Sequence, residues 1–112
     1  MSPDSFFHAL ADMTRLRCVL LIQQQGELCV CELTAALNLA QPKISRHLAL
    51  LKAAGILQDR REGTWVLYRL HPQLPSWVQQ VLTTTTAGVH QNPPFFNDSQ
   101  AFKRIAKRPH SQ

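Results

Sequence analysis

The stretch Glu32-Leu33-Thr34-Ala35-Ala36-Leu37-Asn38-Leu39-Ala40-Gln41-Pro42-Lys43-Ile44-Ser45-Arg46-His47-Leu48-Ala49-Leu50-Leu51-Lys52-Ala53-Ala54-Gly55 decides the fold. It reads as two short helices around a tight turn. The first spans Glu32 to Leu37, and Asn38 suits a left-handed position at its end. Pro42 suits the opening turn of a second helix, which runs to about Ala54 and stops at Gly55. Two helices so joined make a helix-turn-helix. At 100° per residue, Ile44, Leu48 and Leu51 share one arc and face a core. The opposite arc carries Pro42, Lys43, Arg46 and Ala49, with Ser45 on its edge. Short and cationic side chains near a helix N-terminus suit the major groove of double-stranded DNA. Arg46 is the candidate for guanine and Gln41 for adenine, with Lys43 and Ser45 available to bases or phosphates. His47 lies at the seam between the arcs and joins this set, although a packed role fits it as well. An ordinary solvated face is the alternative for the whole arc.

Downstream the period changes to two. Ile56 to Arg60 and Thr64 to Leu70 read as strands with a turn at Arg61-Glu62-Gly63. A hairpin directly after a recognition helix is a wing, and Arg60 and Arg61 at its tip suit phosphate or minor-groove contact. A last helix is expected from Leu74 to about Thr85, with Leu74, Trp77, Val78, Val81 and Leu82 on one stripe. From 86 to 112 no period is sustained and Pro93-Pro94 interrupts it. That segment is expected to be a flexible tail behind a single domain over 1–85.

Upstream, Ser2-Pro3-Asp4 reads as a helix start, followed by Phe6, Leu10 and Met13 on one face. Asp12 is placed to cap a second helix from Thr14 to Gln25, apolar around most of its circumference and therefore central to the core. Gly26 ends it, and Glu27 to Cys31 is a linker or short strand. The expected fold class is mainly α with a β-hairpin wing.

The 112 residues suffice for one domain, and a hydrophobic share of 45% suits a globular chain. No apolar run reaches the roughly 18 residues a membrane span needs, and no secretion signal is visible, so a cytoplasmic protein without membrane partners is expected. Charge is distributed unevenly. Two cations face four anions in residues 1–40, six face two in 41–69, and four face one in 86–112. The basic middle suits a polyanion. No nucleophile–base pairing or phosphate-binding glycine loop suggests an enzyme. Three cysteines, an odd number in a chain of this kind, do not make a disulfide framework. Cys18 sits mid-helix among Val19, Leu21 and Ile22 and reads as core.

Three segments carry a resemblance: Ala9-Leu10-Ala11-Asp12-Met13-Thr14-Arg15-Leu16-Arg17, Glu27-Leu28-Cys29-Val30-Cys31-Glu32-Leu33, and Ser45-Arg46-His47-Leu48-Ala49-Leu50-Leu51-Lys52. Together they resemble the arsenical-resistance repressors, the ArsR family, over about residues 5–85. The resemblance implies a winged helix-turn-helix homodimer joined by its first and last helices, with Phe6, Leu10, Trp77, Val78 and Val81 at the interface. It implies an operator-DNA repressor induced by trivalent arsenic or antimony at Cys29 and Cys31, with no organic cofactor. Many members carry a third cysteine where this chain has Thr34. Zinc-sensing relatives place Asp, His and Glu on the last helix, and positions 74–85 here hold none.

The chemistry is consistent. Trivalent arsenic is soft and selects thiolates, and a helix N-terminus lowers a thiol's pKa. In a continuous helix, residues i and i+2 point about 200° apart, whereas in extended chain they share a side. Chelation by this pair is therefore expected to require that the first turn of the motif helix be unwound or never formed. Two rivals are a repressor of the same fold switched by a Cys29–Cys31 bond under peroxide, and a small thiol reductase. The reductase would want a Cys-x-x-Cys motif in an α/β pattern, which is missing.

Overall fold

The computed structural model describes residues 1–106. Helix α1 (Pro3–Leu10) starts on Pro3 with Asp4 near its positive end, and α2 (Met13–Gln25) is capped by Asp12, whose carboxylate accepts from the Arg15 amide at 3.0 Å. Gly26, at φ 92°, turns the chain out of α2 into strand β1 (Glu27–Cys29). Helices α3 (Val30–Leu37) and α4 (Gln41–Ala53) form the helix-turn-helix, with Asn38 left-handed between them at φ 56°, ψ 47°. Strands β2 (Leu57–Glu62) and β3 (Trp65–Leu70) make the hairpin, and β1 pairs with β3 to give an antiparallel sheet in the order β1-β3-β2. Opposite Leu67 of β3 stand Cys29 on one side and Arg60 on the other.

Helix α2 is the axis of the core. Cys18, Val19, Leu20, Leu21 and Ile22 are buried on it, and α3, α4, α5 and β3 all pack against it. The arc predicted for α4 is the one buried: Ile44, Leu48 and Leu51 are fully enclosed.

Two expectations are corrected. The last helix of the domain, α5 (Ser76–Val89), runs beyond Thr85, and residues 95–106 form a further helix, α6 (Phe95–Ala106). The segment over 86–106 is thus not a loose tail; Lys107 to Gln112 lie outside the described residues. What the helical period could not reveal is the tertiary partner. Asp98, 3% exposed, sits in a two-pronged ion pair with Arg17 of α2, 2.8 Å and 2.9 Å, and Arg17 also donates to the Leu37 carbonyl at the end of α3. Ser99 donates to Gln24, and Ala101, Phe102 and Ile105 pack on the core edge.

Candidate metal centre and nucleic-acid interface

Cys29 ends β1 and is the N-cap of α3, with φ −81° and ψ 160°. Its sulfur accepts from the Glu32 amide at 3.3 Å, while the Glu32 carboxylate accepts from the Cys29 amide at 2.8 Å. This is a capping box with sulfur in place of a hydroxyl oxygen. The spacing Cys29-x-x-Glu32 carried that signal in the sequence. Cys31 stands in the first turn of α3 and is exposed; Cys29 is buried.

The two sulfurs meet. Cys29 and Cys31 are joined as a disulfide with their Cα atoms 5.3 Å apart, and α3 is intact from Val30 onward. The two sulfurs thus meet over an unbroken first turn, against the expectation that their side chains point apart. The 200° rule holds only when both residues are helical, and the N-cap is not: its extended backbone swings the Cys29 sulfur toward Cys31. Reduced, the same pair is a donor set that suits a soft, thiophilic ion. The Thr34 hydroxyl is committed to the Val30 carbonyl at 2.8 Å. Cys18 is fully enclosed, and burial pushes its thiol up to about 12, so it supplies no ready thiolate. No cluster of three or more His, Cys, Asp or Glu able to hold a metal occurs among the described residues.

On α4, Lys43 and Arg46 of the predicted outer arc are exposed and Ser45 on its edge is half-buried; Gln41 is exposed as well. Leu50, 50% exposed, extends that face by a turn and went unread because a leucine suggests core. His47 does not belong to it. It is buried beside Arg15, whose guanidinium lies 3.3 Å from Nδ1, and burial lowers its pKa. Its position at the seam resolves toward the core because α2 packs there. Arg60 and Arg61 part company. Arg60 is gripped by Glu27 at 2.8 Å and 2.9 Å and by Glu62 at 2.7 Å, so three of its five donors are already engaged. Arg61 is exposed, with no ion-pair partner among the described residues.

The expected interface residues divide as well. Phe6 and Val78 are fully buried within the chain and offer nothing to a second copy, whereas Leu10 and Val81 are half-buried and Trp77 is 37% exposed. Phe7 and Met13 are also exposed, at 51% and 54%. Phe6 packs edge-on against both Phe7 and Trp77, which fixes an aromatic patch on α1 and α5.

A helix-turn-helix with an outward cationic arc and an adjoining hairpin defines a winged-helix transcriptional regulator. The family described as bacterial regulatory protein, arsR family, matches residues 12–59. The chain is 63% identical over 82 residues to the arsenic resistance transcriptional regulator ArsR1 of Pseudomonas putida, covering 73% of this chain and 64% of that protein. It is 59% identical over 85 residues to ArsR2 of the same organism, covering 76% and 74%. The crystal structure of the AntR antimony-specific transcriptional repressor superposes with a TM-score of 0.63 at 29% identity, covering 76% of this chain and 74% of that one. The chain belongs to the arsR family of bacterial regulatory proteins, whose members are transcriptional regulators and not enzymes. Among the described residues, no helix is long and apolar enough to cross a membrane.

Proposed function

We propose that this protein is a dimeric cytoplasmic repressor that holds operator DNA through α4 and the wing, and releases it when Cys29 and Cys31 bind trivalent arsenic or antimony. The observation that carries the reading is the convergence of two cysteine sulfurs on the N-cap of the first motif helix. A soft ion drawn into that pair withdraws electron density from the sulfur on which the Glu32 amide depends. The cap on the opening turn of α3 is then weakened, and α3 leads through residues 38–40 directly into α4. Arg46, Lys43 and Gln41 read or position the groove, Arg61 reaches a phosphate, and Arg60 stiffens the wing through its two carboxylates. The exposed aromatic patch of Phe7 and Trp77, with Met13, joins two copies.

The test is a gel shift on the upstream promoter, titrated with arsenite. Reduced protein should bind, and arsenite should release it. The Cys29→Ser, Cys31→Ser double variant should bind and stay bound, and Arg46→Ala should lose about ten-fold or more in affinity. Release of the double variant at the same arsenite concentration would overturn the reading. A second reading, release by oxidation, is favoured by the same two sulfurs already standing in bonding contact. Peroxide releasing operator where arsenite does not would select it.

A further inference from the structure

The cysteine pair offers two sulfurs, and trivalent arsenic commonly takes three. Among the described residues no third thiolate stands beside the pair: Thr34 offers only a neutral hydroxyl, a poor ligand for a soft ion, and Cys18 is sealed in the core. The surface next to Cys31 has a shape and charge of its own. Ala35 lies on the same face of α3, four residues or about 6 Å along the axis, and both residues are exposed. Against Ala35, α6 brings Ala101, Arg104 and Ile105, and the four line an open recess of about 230 Å³. Its walls are apolar except for the Arg104 guanidinium, which is exposed and has no ion-pair partner among the described residues. The helix carrying it is pinned by the Arg17–Asp98 pair.

We propose that this recess between α3 and α6 seats a small anionic thiol of the glutathione class, whose sulfur completes the arsenic site and whose carboxylate pairs with Arg104. The inference rests on Cys29 and Cys31, as dithiols, being the metalloid ligands. The step balances without electron transfer. Arsenous acid, As(OH)3, exchanges three hydroxyls for two protein thiols and one outside thiol, forming three As–S bonds and releasing three waters, and arsenic remains trivalent. A recess of this size holds one arm of such a thiol rather than a drug-sized molecule.

The experiment uses the full chain, reduced with a phosphine and desalted, then given arsenite with glutathione (anionic), 2-mercaptoethanol (neutral) or cysteamine (cationic). Native mass spectrometry reads the composition of the adduct, and the ultraviolet arsenic–thiolate band reads affinity. A composition of one arsenic and one glutathione per protomer is expected, with arsenite bound about five-fold more tightly beside glutathione than beside 2-mercaptoethanol. Arg104→Glu should erase that preference, and Lys103→Glu, the same charge change one residue away, should keep it. An adduct lacking the small thiol, equal affinity with all three thiols, a preference surviving Arg104→Glu, or one lost equally in Lys103→Glu would each overturn the proposal. Failure of the parent reading looks different: arsenite would then bind the Cys29→Ser, Cys31→Ser variant as well as the wild type.

Discussion

At the scale of single residues, Cys29 has a capping duty and, under the proposed function, a separable second one. Its sulfur caps α3 by accepting from Glu32, and the same sulfur is a soft ligand. Oxygen can do the first and not the second. Cys29→Ser should therefore keep the capping box with Glu32 and leave the reduced protein's denaturant midpoint nearly unchanged. Cys29→Ala should cost about 1 kcal/mol, because the first-turn amide is left without its acceptor. Neither variant should respond to arsenite. Equal stability of the two, measured by urea unfolding under reducing conditions, would show that the sulfur contributes no cap. Arg60 and Arg61 give a similar lesson: adjacent and identical in sequence, they differ because Glu27 comes within reach of only one.

Helix α6 shows what elements do for each other. Its one acid is buried on Arg17, and that arginine also holds the last carbonyl of α3. The pair thus ties α2, α3 and α6 at one point. Removing one partner leaves the other charge desolvated, so Asp98→Ala should destabilise the fold by about 3 kcal/mol. Replacing both partners, Arg17→Met with Asp98→Leu, should recover most of that loss. Thermal melts of the two variants check this. A single variant as stable as the wild type would mean α6 is not seated by this contact.

Across the whole molecule, pH reports on the packing of α2 against α4. Burial lowers the pKa of His47, so the unfolded chain takes up its proton first. Stability from this group is complete above the unfolded value of about 6.5 and declines as pH falls toward the folded value. The carboxylate of Asp12 is held low chiefly by the Arg15 amide it caps, so its contribution is complete above the usual carboxylate range and is lost in stronger acid. The urea midpoint should accordingly fall between pH 7 and 5, and His47→Gln should flatten that portion while leaving the steeper loss below pH 4. A midpoint in His47→Gln that still falls by the same amount would place the titrating group elsewhere.

The sequence alone determined the elements whose evidence is local. Period and punctuation gave the motif, since Asn38, Pro42 and Gly55 act on their own backbone, and the buried arc of α4 follows from 100° per residue. The proposed pairing of two thiols with a soft ion likewise rests on residue types two positions apart. Tertiary structure decided everything that depended on a distant partner or on one backbone angle. Seating α6 needed Arg17, 81 residues from Asp98, and no periodicity encodes such a separation. Phe6 and Val78 became core rather than interface because neighbouring elements close over them. The sulfurs of Cys29 and Cys31 meet because one residue is a cap and its neighbour a helical position, a boundary that sequence places only within a residue or two; here that margin decided the direction of a side chain.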